Sequence, residues 1–329
     1  MRAFRAGAVG SVSDLLHGLA GTAFTGRTLG EAADVLESML RDEQCTVVLT
    51  MSGALTMAGF QPLVGEMIER GWVQCIIATG ALVGHGLVQT LGMTHYKANP
   101  RVSDREYYAL RLNRVHDTLE PEANLDALEG RVSAVFDALA RELQGRPIGT
   151  TRILERLGRD LGGEGILQAA AQRGVPVFIP AFIDSELGLD LAVHQERARQ
   201  RGQETLRYDA FEDLRAYRSF SEAAVAKGRL GIFTLGGGVP RNWAQQIGPF
   251  ADVLYSRLGL QRSPIRFQYG VRICPDPVHY GHLSGCTYSE GVSWGKFVPA
   301  EEGGRYAEVL LDATVGWPLL VRAMMDRGL

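Results

Sequence analysis

Short runs of β-branched and other apolar residues alternate along the chain with stretches in which apolar positions recur every three or four residues. The short runs predict buried strands, and the longer periodic stretches predict amphipathic helices. The predicted strands are 46–49, 73–78, 175–179, 230–235, 265–273 and 307–311. The predicted helices are 55–69, one beginning near residue 82, 125–143, 211–227 and 315–327. This alternation predicts an α/β fold, a parallel sheet with helices on both faces.

The domain organisation follows from length and from what interrupts the pattern. A chain of 329 residues that is 46% hydrophobic can form one large α/β domain or two smaller ones. No internal repeat or low-complexity linker divides it, and the polar stretch 104–124 is expected to be an excursion from the core. We therefore expect one domain over residues 1–329, with residues 1–20 as an N-terminal extension.

Charge and cysteine content exclude several classes of protein. The net charge is −3 with interspersed signs, so neither nucleic acid nor a membrane surface is an expected partner. No apolar stretch approaches the roughly 18 residues that a membrane helix needs. The four cysteines form no CxxC pair, which favours buried free thiols in a reducing compartment. We expect a soluble cytoplasmic protein.

Lysine is rare in this chain, and one lysine has unusual neighbours. Only Lys97, Lys227 and Lys296 are lysines among 34 basic residues, and Lys296 follows Trp294 in an apolar and small-residue segment. An ammonium that loses water contacts can lose its proton and become a nucleophile, whereas a guanidinium stays protonated. Lys296 is therefore a candidate nucleophile. The alternative is a core tryptophan followed by a lysine whose stem covers apolar surface while its amine reaches water.

Three predicted strand ends carry residues suited to a nucleotide. Thr79-Gly80 opens a helix whose N–H groups could bind a pyrophosphate, and Gly236–Gly238 would let a ligand approach the backbone. Asp184 follows the strand 175–179 and would lie at the same edge of a parallel sheet. Neither glycine turn matches GxGxxG, so a nucleotide site and ordinary strand-ending glycines both remain open. No His, Cys or Asp spacing predicts a metal site, since His279 and His282 alone are a poor pair.

The segment from Gly281 to Lys296 is the densest in glycine and polar residues, and here the sequence resembles the deoxyhypusine synthase family. The resemblance extends from about residue 20 to the C-terminus. The segments that carry it are 290–296, 311–314, 317–321, 236–238 and 180–188.

The resemblance implies a fold and a reaction. Family enzymes have a Rossmann-like fold, use NAD, and form homotetramers with active sites shared across a dimer interface. They transfer an aminobutyl group from spermidine through an imine on the lysine that matches Lys296. The acceptor is a lysine of a translation factor in the archetype and putrescine in relatives that make homospermidine. For this chain the acceptor therefore remains either a protein lysine or a diamine.

The resemblance also implies roles for individual residues. Lys296 and Glu290 would be catalytic, with Glu290 also facing a substrate ammonium. The residues implied to bind substrate are Trp294, Asn242, Asp190 and His282. The residues implied to bind NAD are Thr79, Gly80, Asp184, Gly236, Gly237, Gly238, Ser284 and Asp312. Trp294 offers a π face to a cationic polyamine.

Several positions depart from the family pattern. Asn242 stands where the archetype has a histidine, and it is either functional or an ordinary helix N-cap. Leu283 and Leu189 occupy positions expected to be acidic, with Asp190 as a substitute for the second. His85 replaces a glutamate and is either functional or a helix cap, and 52–54 is Ser-Gly-Ala where the family has Thr-Ser-Asn.

Lost carboxylates disfavour a polycation in its usual pose, because an isolated buried charge is costly. Homospermidine-type transfer to putrescine is therefore an alternative to the hypusine reaction. A non-catalytic polyamine- or nucleotide-binding protein is another, although such a protein would need no nucleophile. An NAD-dependent hydrolase or deacylase is disfavoured by the lack of a zinc-binding cysteine quartet.

Overall fold

The structure, a computed structural model, describes residues 1–329. The helices are α1 (Val12–Ala20), α2 (Phe24–Arg41), α3 (Gln61–Glu69), α4 (Gly80–Thr90), α5 (Asp104–Ala109), α6 (Glu122–Leu143), α7 (Thr150–Asp160), α8 (Ile166–Arg173), α9 (Glu186–Gln200), α10 (Ala210–Lys227), α11 (Gly238–Gln245), α12 (Ile247–Leu258), α13 (Tyr288–Ser293) and α14 (Ala313–Asp326). The strands are β1 (Cys45–Met51), β2 (Cys75–Ala78), β3 (Tyr96–Lys97), β4 (Leu112–Val115), β5 (Thr118–Pro121), β6 (Pro147–Ile148), β7 (Val177–Phe178), β8 (Arg207–Tyr208), β9 (Arg229–Leu235), β10 (Phe267–Ile273) and β11 (Arg305–Val309).

The chain forms two compact units. Unit 1 comprises Met1–Ser52, Arg70–Ile77 and Leu214–Leu329, and unit 2 comprises Gly53–Glu69 and Ala78–Asp213. Each unit is described by itself below. The expectation of one domain over the whole chain stays a prediction.

Unit 1 is built on a parallel sheet. Its strands follow the order β11-β10-β9-β1-β2, and β1 with β9, β9 with β10, and β10 with β11 pair in parallel. Every residue of β1 is buried, as expected of a central strand covered on both sides. Helix α2 packs on β1, β10 and β11, and α14 packs on β10 and α2. The predicted α/β class with a helix-flanked parallel sheet is confirmed.

Because these strands are parallel, their carboxyl ends meet at one edge of the sheet. Ser52 follows β1, Gly236 follows β9, and Asp312 lies just beyond β11. The edge is tightly built: the Gly236 N–H donates to the Ile273 carbonyl at 2.8 Å, and the Gly237 N–H donates to Ser52 Oγ at 2.8 Å. Two of the segments that resemble the family, 236–238 and 311–314, therefore lie at this edge of unit 1.

Unit 2 combines helices with two small sheets. Strands β3, β5 and β4 form an antiparallel sheet in that order, and β6 pairs with β8 in parallel. Helix α4 packs against α6, α8 and α9. The polar stretch 104–124, predicted to be an excursion, contains α5, β4 and β5.

The predicted elements are present, with shifted ends. Helix α3 begins at Gln61 and not at residue 55, because residues before it form turns and Gly59 has a φ of +85°. Pro62 then lies in the first turn, where its missing N–H costs no hydrogen bond. Strand β7 has two residues, fewer than the five predicted.

The cysteines are free thiols, as predicted. Cys45, Cys75 and Cys274 are buried and Cys286 is partly exposed. Burial raises the pKa of each of the buried thiols. None of the helices has the length and apolar character needed to cross a bilayer.

Asp213 stabilises the start of α7, which gives a test of unit 2. Its buried carboxylate accepts hydrogen bonds from Thr150 N at 2.8 Å, Thr150 Oγ1 at 2.7 Å and Thr151 N at 3.0 Å. Asp213→Ala would leave these donors unsatisfied and should destabilise the protein by about 2–4 kcal/mol. A lower urea midpoint than wild type would show this. Asp126→Ala, at an exposed ion pair, should change the midpoint little, and an equal loss in both variants would contradict the role of Asp213.

Candidate functional site

The backbone of Lys296 is fixed by hydrogen bonds on both sides. Its N–H donates to the Gly291 carbonyl in α13 at 3.0 Å, and its carbonyl accepts from the Phe267 N–H in β10 at 3.0 Å. The preceding Gly295 has a φ of +66°, a left-handed conformation that lets the chain turn sharply after α13. The position of Lys296 is therefore set by the sheet and not by a mobile loop.

The side chain of Lys296 lies at a cavity of about 310 Å³ in unit 1. This volume is at the small end of the range for small-molecule sites, roughly 300–1,000 Å³. The cavity is lined by Asn242, Gln246, Val278, Gly281, His282, Leu283, Cys286, Glu290, Trp294 and Lys296. The structure thus brings together five residues that the sequence assigned to catalysis or substrate binding: Lys296, Glu290, Trp294, Asn242 and His282.

The Lys296 amine is buried and has a neutral partner. The residue is 6% exposed, and Nζ donates to Asn242 Oδ1 at 3.1 Å. Burial lowers the pKa of Lys296, because the desolvated ammonium is disfavoured. An amide oxygen carries no net charge, so it orients the amine without the strong preference for the ammonium that a carboxylate would add. The charged form of this amine is therefore less favoured than that of a solvated lysine.

A second cation lies in the same region. Arg241, next to Asn242 in α11, is 2% exposed, and its guanidinium lies 5.2 Å over the Tyr288 ring. Its Nε and Nη2 atoms are buried without a hydrogen-bond partner. The charge of Arg241 adds to burial in lowering the pKa of Lys296, while Cys286 and Glu290 act in the opposite direction.

The glycine turn after β9 borders this cavity region through Ser284. A side chain at Gly237 would overlap Ser284, with a Cβ only 2.5 Å from the Ser284 Cβ. A Cβ at Gly236 would likewise lie only 2.2 Å from Ser52 Oγ. Gly238, with a φ of +63°, has open space at that position. The first two glycines are therefore required by protein packing, and only Gly238 leaves room for a ligand.

Helix α11 begins at this turn without a side-chain cap. Its N-cap residue is Gly237, so the N–H groups of its first turn have no capping side chain. Asp312 is exposed and caps its own helix α14, where Oδ1 accepts from Thr314 N at 2.8 Å. The uncapped start of α11 is therefore a candidate contact for an anion.

The remaining predicted residues belong to unit 2. Thr79 precedes α4 and gives no side-chain cap, because its hydroxyl donates to the Gly53 carbonyl at 2.7 Å. Gly80 is required by packing, since a Cβ there would lie 2.0 Å from the Ser185 Cβ. Asp184 is exposed. Burial raises the pKa of Asp190 to about 6, with Glu129 and Glu186 adding repulsion.

The chain is similar in sequence to known proteins of one family. The family model described as deoxyhypusine synthase matches residues 14–324. A "Probable deoxyhypusine synthase 2" from Methanosarcina acetivorans is 30% identical over 322 residues, covering 96% of this chain and 87% of that protein. The chain belongs to the deoxyhypusine synthase family. A "Deoxyhypusine synthase-like protein" from Coxiella burnetii is 31% identical over 312 residues, covering 93% of this chain and 83% of the relative.

A solved structure supports the fold. The crystal structure of a "putative deoxyhypusine synthase" from Entamoeba histolytica superposes with a TM-score of 0.63 at 16% identity, covering 99% of this chain and 97% of that chain. The likeness confirms the deoxyhypusine synthase fold that the sequence predicted.

Three sequence interpretations within this family framework were wrong. Asn242 is not an N-cap, because it lies inside α11 and accepts from Lys296. His85 is not a helix cap either, since it is buried within α4. The alternative of a buried Trp294 followed by a solvent-exposed Lys296 amine is wrong too, because Trp294 is 62% exposed and Lys296 is buried.

Two residues of the cavity region were given no role from the sequence. Arg241 is one arginine among many, and only the packing of α11 against the sheet makes it a buried cation. Cys286 lines the cavity, and burial raises the pKa of its thiol. Its position inside the segment 281–296 was the available hint.

The contribution of Arg241 to the Lys296 amine can be measured directly. Reductive ¹³C-methylation labels the three lysines and the N-terminal amine, and Lys296→Arg assigns the NMR signals of Lys296. Arg241→Met removes a positive charge, so the Lys296 pKa should rise, by about 1 unit or less. The matched control is Arg101→Met, at an exposed arginine. An unchanged or lower pKa in folded Arg241→Met would contradict the electrostatic role.

Proposed function

We propose that this protein is an NAD-dependent transferase that moves an aminobutyl group from spermidine or a related polyamine to an amine acceptor through an imine on Lys296. The single observation that carries the proposal is the buried Lys296 amine, 3.1 Å from a neutral oxygen at a small cavity. Membership of the deoxyhypusine synthase family supports the reaction class.

Each unit carries residues that suit part of a dinucleotide. In unit 1 the uncapped start of α11 at Gly238 suits a phosphate, and Ser284 and Asp312 would hydrogen-bond a nucleoside. In unit 2 the uncapped start of α4 at Gly80 suits a phosphate, and Asp184 would hydrogen-bond a nucleoside. When bound, NAD would accept a hydride from the donor and later return it. Gly236 and Gly237 would act indirectly, by letting Ser52 and Ser284 pack against the turn.

The reaction depends on what the cavity residues do. Asn242 orients the Lys296 amine, which attacks the oxidised carbon of the donor and forms a C=N bond as the diamine leaves. Glu290, exposed at the cavity, would pair with a substrate ammonium. An acceptor amine then displaces Lys296 by attack on the same carbon. Trp294 would lie along the substrate chain as a cation–π partner.

A second candidate function is transfer to a small diamine such as putrescine. Leu283 lines the cavity where the family pattern has an acidic residue, and it is 47% exposed. Leu189 is similarly exposed at 62%, and Asp190 one position along is half-buried with a raised pKa. Fewer carboxylates favour substrates with fewer positive charges.

We propose a homotetramer with sites at a dimer interface as the working assembly.

Covalent trapping tests the proposed function. Wild-type protein incubated with NAD and spermidine, then reduced with borohydride, should gain the mass of an aminobutyl group on the Lys296 peptide. Lys296→Arg should abolish the adduct, because a guanidinium does not form the imine. Lys227→Arg is the matched control and should react like wild type. Adding putrescine or a lysine-containing protein acceptor before reduction should deplete the adduct and identify the acceptor.

The opposite results are equally informative. An adduct that persists in Lys296→Arg would exclude Lys296 as the nucleophile. No adduct with any polyamine, in protein that binds NAD and the polyamine, would favour a non-catalytic binding protein.

Trp294 provides a binding test independent of covalent chemistry. A cation–π contact contributes about 0.5–2 kcal/mol, so Trp294→Ala should weaken polyamine binding about 2- to 30-fold by calorimetry. Trp294→Phe keeps an aromatic face and should lose less. Tyr108→Ala, at a tyrosine that is 81% exposed, controls for loss of a surface aromatic. Equal affinity in wild type and Trp294→Ala would contradict the assigned contact.

A further inference from the structure

Two histidines and a glutamate of unit 2 converge on one buried point. His85 comes from α4, His95 from the segment between α4 and β3, and Glu120 from β5. His85 Nδ1 lies 3.0 Å from Glu120 Oε2, and His95 Nε2 contacts the same oxygen. One ligand atom from each residue lies within 4.8 Å of the others. The side chains of His85, His95 and Glu120 are 8%, 5% and 1% exposed.

Polar groups surround these three side chains. Asn124 Nδ2 donates to Glu120 Oε1 at 2.7 Å, and the Gln89 amide lies 3.2 Å from His95 Nδ1. Glu186 Oε1 lies 3.8 Å from His85 Nε2, the ring nitrogen that faces away from Glu120. The other oxygen of Glu186 is buried without a hydrogen-bond partner. In metal-bound histidines, the ring nitrogen that does not bind the metal is commonly hydrogen-bonded to a carboxylate or an amide. Metal-bound carboxylates are themselves hydrogen-bonded.

Charge balance also favours a cation. Two carboxyl groups of this cluster are enclosed by protein: the side chain of Glu120 is 1% exposed, and Glu186 lies behind His85 with one buried oxygen that has no hydrogen-bond partner. Carboxylates in a region of low polarity leave negative charge that is costly unless a cation is near. A divalent cation between the three ligand atoms would neutralise it.

We propose that His85, His95 and Glu120 form a transition-metal site of the zinc class. Two imidazole nitrogens and one carboxylate oxygen suit Zn²⁺ or Co²⁺, whereas Mg²⁺ and Ca²⁺ prefer oxygen ligands. His85 would bind through Nδ1, with Nε2–H directed at Glu186. His95 would bind through Nε2, with Nδ1 facing the Gln89 amide. Water would complete a tetrahedral site.

The site would be structural. Its ligands join α4 to the antiparallel sheet β3-β5-β4, so a bound metal would link two parts of unit 2. The metal-site proposal does not depend on the proposed transferase reaction, and it can be tested without an activity assay.

The test uses full-length protein freed of metal by a chelator and titrated with Co²⁺. We expect one equivalent to bind with visible d–d absorption, and Zn²⁺ to displace it. His95→Gln and Glu120→Gln should each reduce the affinity at least 10-fold, whereas His17→Gln, at an exposed histidine of unit 1, should not. Zn²⁺ should raise the melting temperature of wild type and of His17→Gln, but not of His95→Gln. Binding should weaken in acid, because protons compete with the metal for the ligand atoms.

Either of two results would overturn the proposal. One is the absence of stoichiometric Co²⁺ or Zn²⁺ binding to wild type, which would leave a cluster that binds protons only. The other is binding that survives both variants, which would place the metal elsewhere. Should the variants fail to fold, X-ray absorption of the wild-type Co²⁺ or Zn²⁺ complex decides: two imidazole nitrogens at about 2.0–2.1 Å support the site, and a shell without imidazole excludes it.

Discussion

The chemistry proposed for this protein depends on one hydrogen bond, from the Lys296 amine to the amide oxygen of Asn242. A carboxylate in that position would hold the lysine as an ammonium, and an apolar residue would leave it without orientation. The amide does neither. It fixes the direction of Nζ while burial, assisted by the charge of Arg241, lowers the pKa. The histidine-to-asparagine departure from the family pattern therefore removes a titrating group and keeps an acceptor.

That hydrogen bond is possible because two chain segments are held rigidly against one sheet. Asn242 lies in α11, which begins where β9 ends, and Lys296 is bonded through its backbone to α13 and to β10. Strands β9 and β10 are neighbours in the parallel sheet. The left-handed turn at Gly295 and the close packing of Gly237 on Ser284 complete the positioning. The proposed nucleophile is thus positioned by the backbone contacts of these segments.

The sequence predicted what local patterns determine. Apolar runs located the strands of unit 1, and the contrast between three lysines and many arginines singled out Lys296. It did not predict what only tertiary packing decides. Whether Asn242 begins a helix or lies inside it depends on where α11 starts, and Arg241 became a buried cation only through packing. His85, His95 and Glu120 are separated by 10 and 25 positions, a spacing typical of no metal motif, and the fold of unit 2 brings them together.

The charges at the cavity bear on which substrate the proposed transferase would accept. Glu290 is its only carboxylate among the lining residues, and Leu283 presents apolar surface where an acidic residue would pair with a second ammonium. A long polycation placed here would have one amine paired and another facing leucine, which is unfavourable unless that amine reaches water. In the proposed transfer to a diamine, one end would pair with Glu290, while the other, as the attacking amine, would be uncharged. Donor and acceptor in the proposed reaction would therefore differ in the number of charges that must lose water, and a single carboxylate would favour the amine that brings the fewest.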